Sequence, residues 1–301
     1  MTVRWGVAGP GPVAGKVLRD LEYVPDAVLT AVGSRSAGRA AAFAAALAGP
    51  AGRGQVPTAH GSYRALLGDP DVDVVYVATP HPHHRALALA ALAAGKAVLA
   101  VARLRELVAD GAIGEVRTVT ADLGVRHPVD PAAESYDPGQ GDGLLFHLGV
   151  YPVSFAQMLL GTPEAVVAHG TVHPSGADVE ESVLLRYPGG RSALLFASLR
   201  SPAPGEARVL GTAGWIGVPP RFHYPSRIVL HRRGHDPEII DAPLTGAGYT
   251  HELAEVTARM AGGHAESEIM PLADTVAVQD VMAEIAGQLG MRVVEGPGSL
   301  A

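Results

Sequence analysis

VRWGVAGPGPVA, Val3 to Ala14, sets an apolar run against two glycines and then an apolar helical turn. The run VRWGVAG reads as a buried strand, and GPGPVA fits G-x-G-x-x-A at a strand-to-helix turn. Glycines there permit a tight turn and let the backbone approach a pyrophosphate, whose charge a helix N-terminus stabilises. Pro12 suits the first helical turn, where no amide partner is lost. An ordinary strand-helix turn also fits the motif taken alone. The elements around it decide the reading.

Working outward, apolar strand-like runs alternate with helix-like ones up to about residue 118. After the helix at Val13–Leu21 come VLTAVGS, an Ala-rich helix near 37–48, VDVVYVATP, a helix at Ala86–Ala94 and the short run AVLAV. Strands so uniformly apolar are covered on both faces, as in a parallel, doubly wound sheet. The second strand ends VGSRS. Ser34 and Arg35 therefore stand where an NAD site carries the acid that holds the ribose hydroxyls. A hydroxyl and a guanidinium favour a 2′-phosphate, so the expected cofactor is NADP rather than NAD. The third run, VDVVYVATPHPHH, ends at Thr79-Pro80 and delivers His81, His83 and His84 to its carboxyl end, where ligands of open α/β sheets bind. No H-x-x-E-H pattern or carboxylate partner completes a metal site there, and none is expected.

Beyond residue 119 the texture changes to short β-type runs, AVVAHGTV, ESVLLRYP, SALLFASLR and RIVLHR, with helices at Leu144–Leu160, His251–Ala261 and Asp274–Leu289. This half reads as α+β with a large, mostly antiparallel open sheet. The expected domains are 1–118, dinucleotide-binding, and 119–301, for substrate and oligomerisation. Trp215 and the FHYP run at 222–225 read as strand packing.

A chain of 301 residues with 48% hydrophobic content buries a large core. Its net charge of −7, without a basic cluster, gives no footprint for nucleic acid or anionic lipid. It has no cysteine, which excludes disulfides and thiolate chemistry. MTVRWGVAG enters a strand at once, and no run approaches a membrane span, so a cytoplasmic protein is expected.

GVAGPGPVA, VGSRS, GSYRALLGDPDVDVVYVATPHPHH, ALAAGKAVL, ADGAIGEV and GLLFHLGVYPVSFA together resemble the Gfo/Idh/MocA oxidoreductases, in the branch of glucose–fructose oxidoreductase and dimeric dihydrodiol dehydrogenase. The resemblance covers nearly the whole chain. It implies a Rossmann-type domain followed by an open-sheet domain, and hydride transfer between NADP and a carbohydrate or diol carbon. It implies a cofactor turn at Gly9, Gly11, Pro12, Val13 and Ala14, an adenosine end held by Ser34 and Arg35, and a nicotinamide side lined by Thr79, Pro80, His81 and His84. A homodimer or higher homo-oligomer is expected, because the open sheet face calls for a partner.

Two departures from the family pattern bear on chemistry. In the family, the strand matching GKAVL continues into a Glu-Lys-Pro motif, a helix and another strand before the helix resembling VARLRELVADG. Here that unit, with the lysine that relays the substrate proton, is absent, and the sheet is expected to close shortened with AVLAV as its last strand. Lys96 precedes that strand and lies roughly 16 Å from its mouth. The second departure is His147, where the family has Asp. His147 and Tyr151 share a helix face and are the candidate catalytic pair, general base and hydrogen-bond donor. Packed core groups are the other reading of both. Two outcomes stay open: an oxidoreductase working through His147 and Tyr151, or a catalytically impaired nucleotide-binding relative with a binding or regulatory role.

Overall fold

The structure is a computed structural model, and it describes residues 1–49, 51–79, 99–126, 143–264, 266–267 and 271–291. The described chain forms two compact units, one drawn from Met1–Val98 with Leu244–Leu272, the other from Leu99–Pro243 with Ala273–Glu295.

In the first unit, β1 (Val3–Ala8), β2 (Ala27–Gly33), β3 (Thr58–His60) and β4 (Val74–Val77) form a parallel sheet in the order β3-β2-β1-β4. Val3, Trp5 and Val7 on one face of β1 and Gly6 and Ala8 on the other are buried, as a strand covered on both sides requires. Helices α1 (Pro12–Arg19), α2 (Ala37–Leu47) and the short α3 (Tyr63–Leu67) connect the strands. The chain runs from β1 out to β3 and returns to the other side of β1, so the strand order reverses between β1 and β4. That reversal opens a crevice outside the carboxyl ends of the strands.

In the second unit, α4 (Leu99–Ala109) leads into β5 (Val116–Gly124). A π-helical turn (Leu145–Gly149) runs into α5 (Val150–Leu160). The strands β6 (Ala165–Val172), β7 (Asp178–Tyr187), β8 (Arg191–Ser198), β9 (Ala207–Gly211), β10 (Gly214–Val218), β11 (Arg227–Arg232) and β12 (Glu238–Asp241) complete an eight-stranded sheet. Its order is β12-β11-β10-β9-β5-β8-β7-β6. The β5–β8 pair is parallel and the other described pairs are antiparallel. Leu104, Val119, Leu145, Phe155, Leu185, Leu195 and Ile285 lie in one core beside it.

The fold class is the expected one, and five details differ. The AVLAV strand gives way to helix from Leu99 onward, because LAVARLRELVA is dominated by strong helix formers; Ala97 and Val98, like the helix expected at Ala86–Ala94 and Lys96, lie outside the described residues. The compact units part at Val98/Leu99 rather than at 118/119. Residues 244–272 rejoin the first unit through α6 (Thr250–Ala261). Asp20 accepts hydrogen bonds from the backbone N–H groups of Ala247 and Tyr249, both at 2.8 Å, and Trp5 Nε1 donates to Thr257 Oγ1 at 3.2 Å. Such returns depend on pairings between opposite ends of the chain, which local pattern does not carry. The helix expected at Leu144–Leu160 divides into the π turn and α5, and FHYP forms a turn instead of a strand. The last helix, α7 (Leu272–Leu289), lies where it was expected.

Candidate active site

One cluster of candidate residues, in the first unit, is built from backbone. At Gly9, where β1 ends, φ is +97°, and a Cβ placed there meets Ala78 O at 2.7 Å and Thr79 N at 2.9 Å. Only glycine satisfies both demands. Gly9 N donates to Gly33 O at 3.1 Å, which ties the turn to the end of β2. Gly11 caps α1 in an extended conformation, and a Cβ there meets nothing within 4 Å. The space over Gly11 therefore faces outward, and the first-turn amides of α1 point toward it. Pro12 and Val13 are exposed beside it, while Ala14 is fully buried and lets the helix pack down on the sheet. No acid stands in the first turn. A diphosphate fits such a place, bound by amides and the helix dipole.

At the end of β2, Ser34 is buried and its Oγ accepts from Ser36 N at 3.2 Å, which orders the loop from which Arg35 projects into solvent. Arg39, on α2, donates to Pro10 O at 3.3 Å, fastening the glycine turn from above; the sequence reading did not single it out. Thr79, just past β4, is 5% exposed, and its hydroxyl oxygen is buried without a partner among the described residues. Buried polar atoms are nearly always paired, so an orphan at a strand's carboxyl end fits a ligand group. Pro80, His81 and His84 lie outside the described residues. Gly9, Gly11, Ala14 and Thr79 meet at the strand-order reversal, and the residues present fit a dinucleotide.

A second cluster, in the other unit, is built from side chains. His147 is exposed in the π turn, and Tyr151 follows half-buried in the first turn of α5. A π turn inserted ahead of an α-helix frequently marks a functional site. His223, from the FHYP turn, lies with its ring 4.8 Å from that of Tyr151, and Phe222 packs edge-on against Phe155 at 5.6 Å. The turn carries local strain, since Arg221 adopts φ +72°. Trp215 stacks on His231 of the adjacent strand at 3.6 Å, the packing role expected of it. Beneath the π turn, Asp178 Oδ2 accepts from Leu145 N at 2.9 Å. Burial pushes the Asp178 carboxyl up to about 6, against the opposing pull of backbone N–H groups and His147. Burial, reinforced by Asp178, holds Glu181 well above the usual carboxylate range. Sequence reasoning missed His223, Asp178 and Glu181. The last had a signal, an acid on the inward row of an alternating strand.

Comparison with known proteins follows this division. Residues 3–100 match the model of an oxidoreductase family with an NAD-binding Rossmann fold, and residues 101–217 match the GFO/IDH/MocA C-terminal domain. Trans-1,2-dihydrobenzene-1,2-diol dehydrogenase of Mus musculus is 30% identical over 336 residues, covering 97% of this chain and 98% of the relative. The Homo sapiens enzyme of that name is 28% identical, with the same coverage. Among solved structures, a 3-ketoreductase from Actinomadura kijaniata in complex with NADP and TDP-benzene superposes with a TM-score of 0.74 at 21% identity, covering 96% of this chain and 98% of that one. An aldose-aldose oxidoreductase from Caulobacter crescentus gives 0.78 at 20% identity, with the same coverage. These structural likenesses concern the fold.

Proposed function

We propose a reaction for this chain, which belongs to the GFO/IDH/MocA oxidoreductase family and carries its NAD(P)-binding Rossmann domain: hydride transfer between NADP and a hydroxyl-bearing carbon of a sugar, polyol or vicinal diol. The observation that carries the reading is the glycine turn. Gly9 is locked against the end of β4 while the space over Gly11 stays open at the head of α1. Gly9, Gly11, Pro12, Val13 and Ala14 hold the diphosphate, Ser34 and the exposed Arg35 hold the 2′-phosphate, and Thr79 gives its buried hydroxyl to the nicotinamide side. Pro80, His81 and His84 belong to that side in this reading. The cofactor, when bound, supplies or accepts the hydride.

The chain's own residues handle the proton and the orientation of substrate. Tyr151 donates a hydrogen bond to the substrate oxygen, its ring held by His223. His147 takes the hydroxyl proton as general base, a role within reach of an imidazole near neutral pH. The reading includes a cytoplasmic location and a homodimer through the open sheet face, where Val167, Leu194 and Ile239 are exposed. Among the described residues, no helix is long and apolar enough to cross a membrane.

A second reading, a nucleotide-binding relative without turnover, is favoured by one observation. The alignment with the mouse relative runs over 336 positions against 301 residues here, so that relative has residues this chain lacks. They accord with the missing Glu-Lys-Pro unit. The test is turnover of NADP(H) across a panel of sugars, polyols and vicinal diols. A Tyr151- and His147-dependent rate supports the enzyme, whereas a silent panel with tightly bound NADPH supports the second reading.

A further inference from the structure

Two carboxyl groups under the π turn have no part in the reaction as proposed. Both come from β7: Glu181 lies on the inward row with Val179, Val183, Leu185 and Tyr187, and Asp178 opens the strand at the register irregularity opposite Val172. Asp178 is fully buried, and its Oδ2 accepts the Leu145 N–H, one of the amides that the start of a helix leaves unpaired. Gly143 lies so close that a Cβ there would overlap Asp178 Oδ1. At the other end of the turn, a Cβ on Gly149 would overlap Glu181 Oε1. Glycine thus stands on both sides of His147, at each place where a carboxyl group presses on the backbone. His147 N donates to Gly143 O at 3.2 Å, which seats the histidine one turn above Asp178.

Among the described residues, the sheet rows packed beside the turn are apolar. The inward rows of β5 and β8 contribute Val119, Ala121, Leu123, Ala193, Leu195 and Ala197. On β7 the further inward titratable group is the Tyr187 hydroxyl, and on α5 it is Tyr151. Among the inward-facing described residues of β5, β7, β8 and α5, the carboxyl pair is the charge beneath the π turn.

We infer that Asp178 is the positioning residue of the catalytic turn: its carboxylate fixes the amino end of the turn and lies as a negative charge behind His147, while Glu181 braces the carboxyl end against Gly149. The inference rests on the reading of His147 as the proton carrier. Two carboxylates buried so near each other do not both ionise readily. Glu181, raised by burial and by the neighbouring Asp178, keeps the proton, and Asp178, whose Oδ2 accepts the Leu145 N–H, gives its own up. A proton leaving the substrate hydroxyl for His147 then arrives beside a compensating charge.

The test is a carbon-13 titration of the Asp178 carboxyl in the full-length protein and in His147→Ala, whose altered side chain is exposed. The expected result is a midpoint that moves upward by about half a unit when the histidine is removed. A midpoint that stays in place overturns the inference. In parallel, Asp178→Asn should lower kcat about tenfold while KM stays nearly constant, the pattern of an interaction made in the transition state. If turnover exists and Asp178→Asn leaves kcat unchanged, the positioning role fails. If no substrate turns over but the midpoint still moves, the electrostatic seat of His147 stands and the proposed reaction fails instead. Should Asp178→Asn not fold, the His147→Ala titration decides.

Discussion

At Gly9 the missing side chain makes room for the backbone of a neighbouring strand; at Gly143 and Gly149 it makes room for carboxyl groups. The first unit presents its cluster as a pattern of amides and open space, with few side chains involved. The second presents its own as side chains perched over a buried acidic pair. Their titrations run in opposite senses. In the first unit Asp73 is held below the usual range by its hydrogen bonds with Arg4, and Asp69 by the backbone of Asp71 and by His60. These groups add stability above their unfolded pKa and lose it as pH falls through the folded one. In the second unit Asp178 and Glu181 are raised, so their contribution is full in acid and is lost as pH rises through the folded value. A backbone-built site tolerates charge changes nearby and fails on shape. A site built over buried charge keeps its shape under isosteric change and fails on electrostatics.

The most damaging way to break this comparison is Gly9→Val. With φ +97° and Ala78 O at 2.7 Å from the added Cβ, the variant should lose about 2 kcal/mol or more of stability and all measurable binding of NADPH, read by melting and calorimetry. Tyr151→Phe should then cost on the order of 100-fold in kcat while NADPH affinity stays unchanged, since the phenol oxygen is the proposed donor to the substrate; turnover assays and calorimetry measure the two. Asp178→Asn sharpens the contrast in stability. Between pH 4 and pH 7.5 the variant should gain on the order of 2 kcal/mol relative to the native chain, because its amide never bears the buried charge; denaturant titrations at the two pH values measure it. A gain that is the same at both pH values would remove the electrostatic account. The smallest effect is expected at Gly11→Ala. Its Cβ enters open space, so melting should be unchanged while NADPH affinity falls about tenfold.

The same contrast explains what could be read from the chain alone. GPGPVA, VGSRS and VDVVYVATP announce the first cluster, because a strand, a turn and a helix that follow one another directly leave their periods in the sequence. His147 and Tyr151 were visible as neighbours at helical spacing, but the π turn under them was not, since it arises from packing on β7. Asp178 and Glu181 reach that turn from a later strand, with β6 intervening in the chain. His223 comes from the loop between β10 and β11, far beyond Tyr151, and its role there depends on sheet order. The return of α6 to the first unit depends on Asp20 and Trp5, at the opposite end of the chain.

The central claim is that the glycine turn with Ser34 and Arg35 holds NADP. Calorimetric titration of the monodisperse protein with NADPH and, in parallel, NADH tests it most directly. Saturable binding of both, about tenfold tighter for NADPH, is the predicted result. Failure to bind either cofactor, or a preference for NADH, would contradict it.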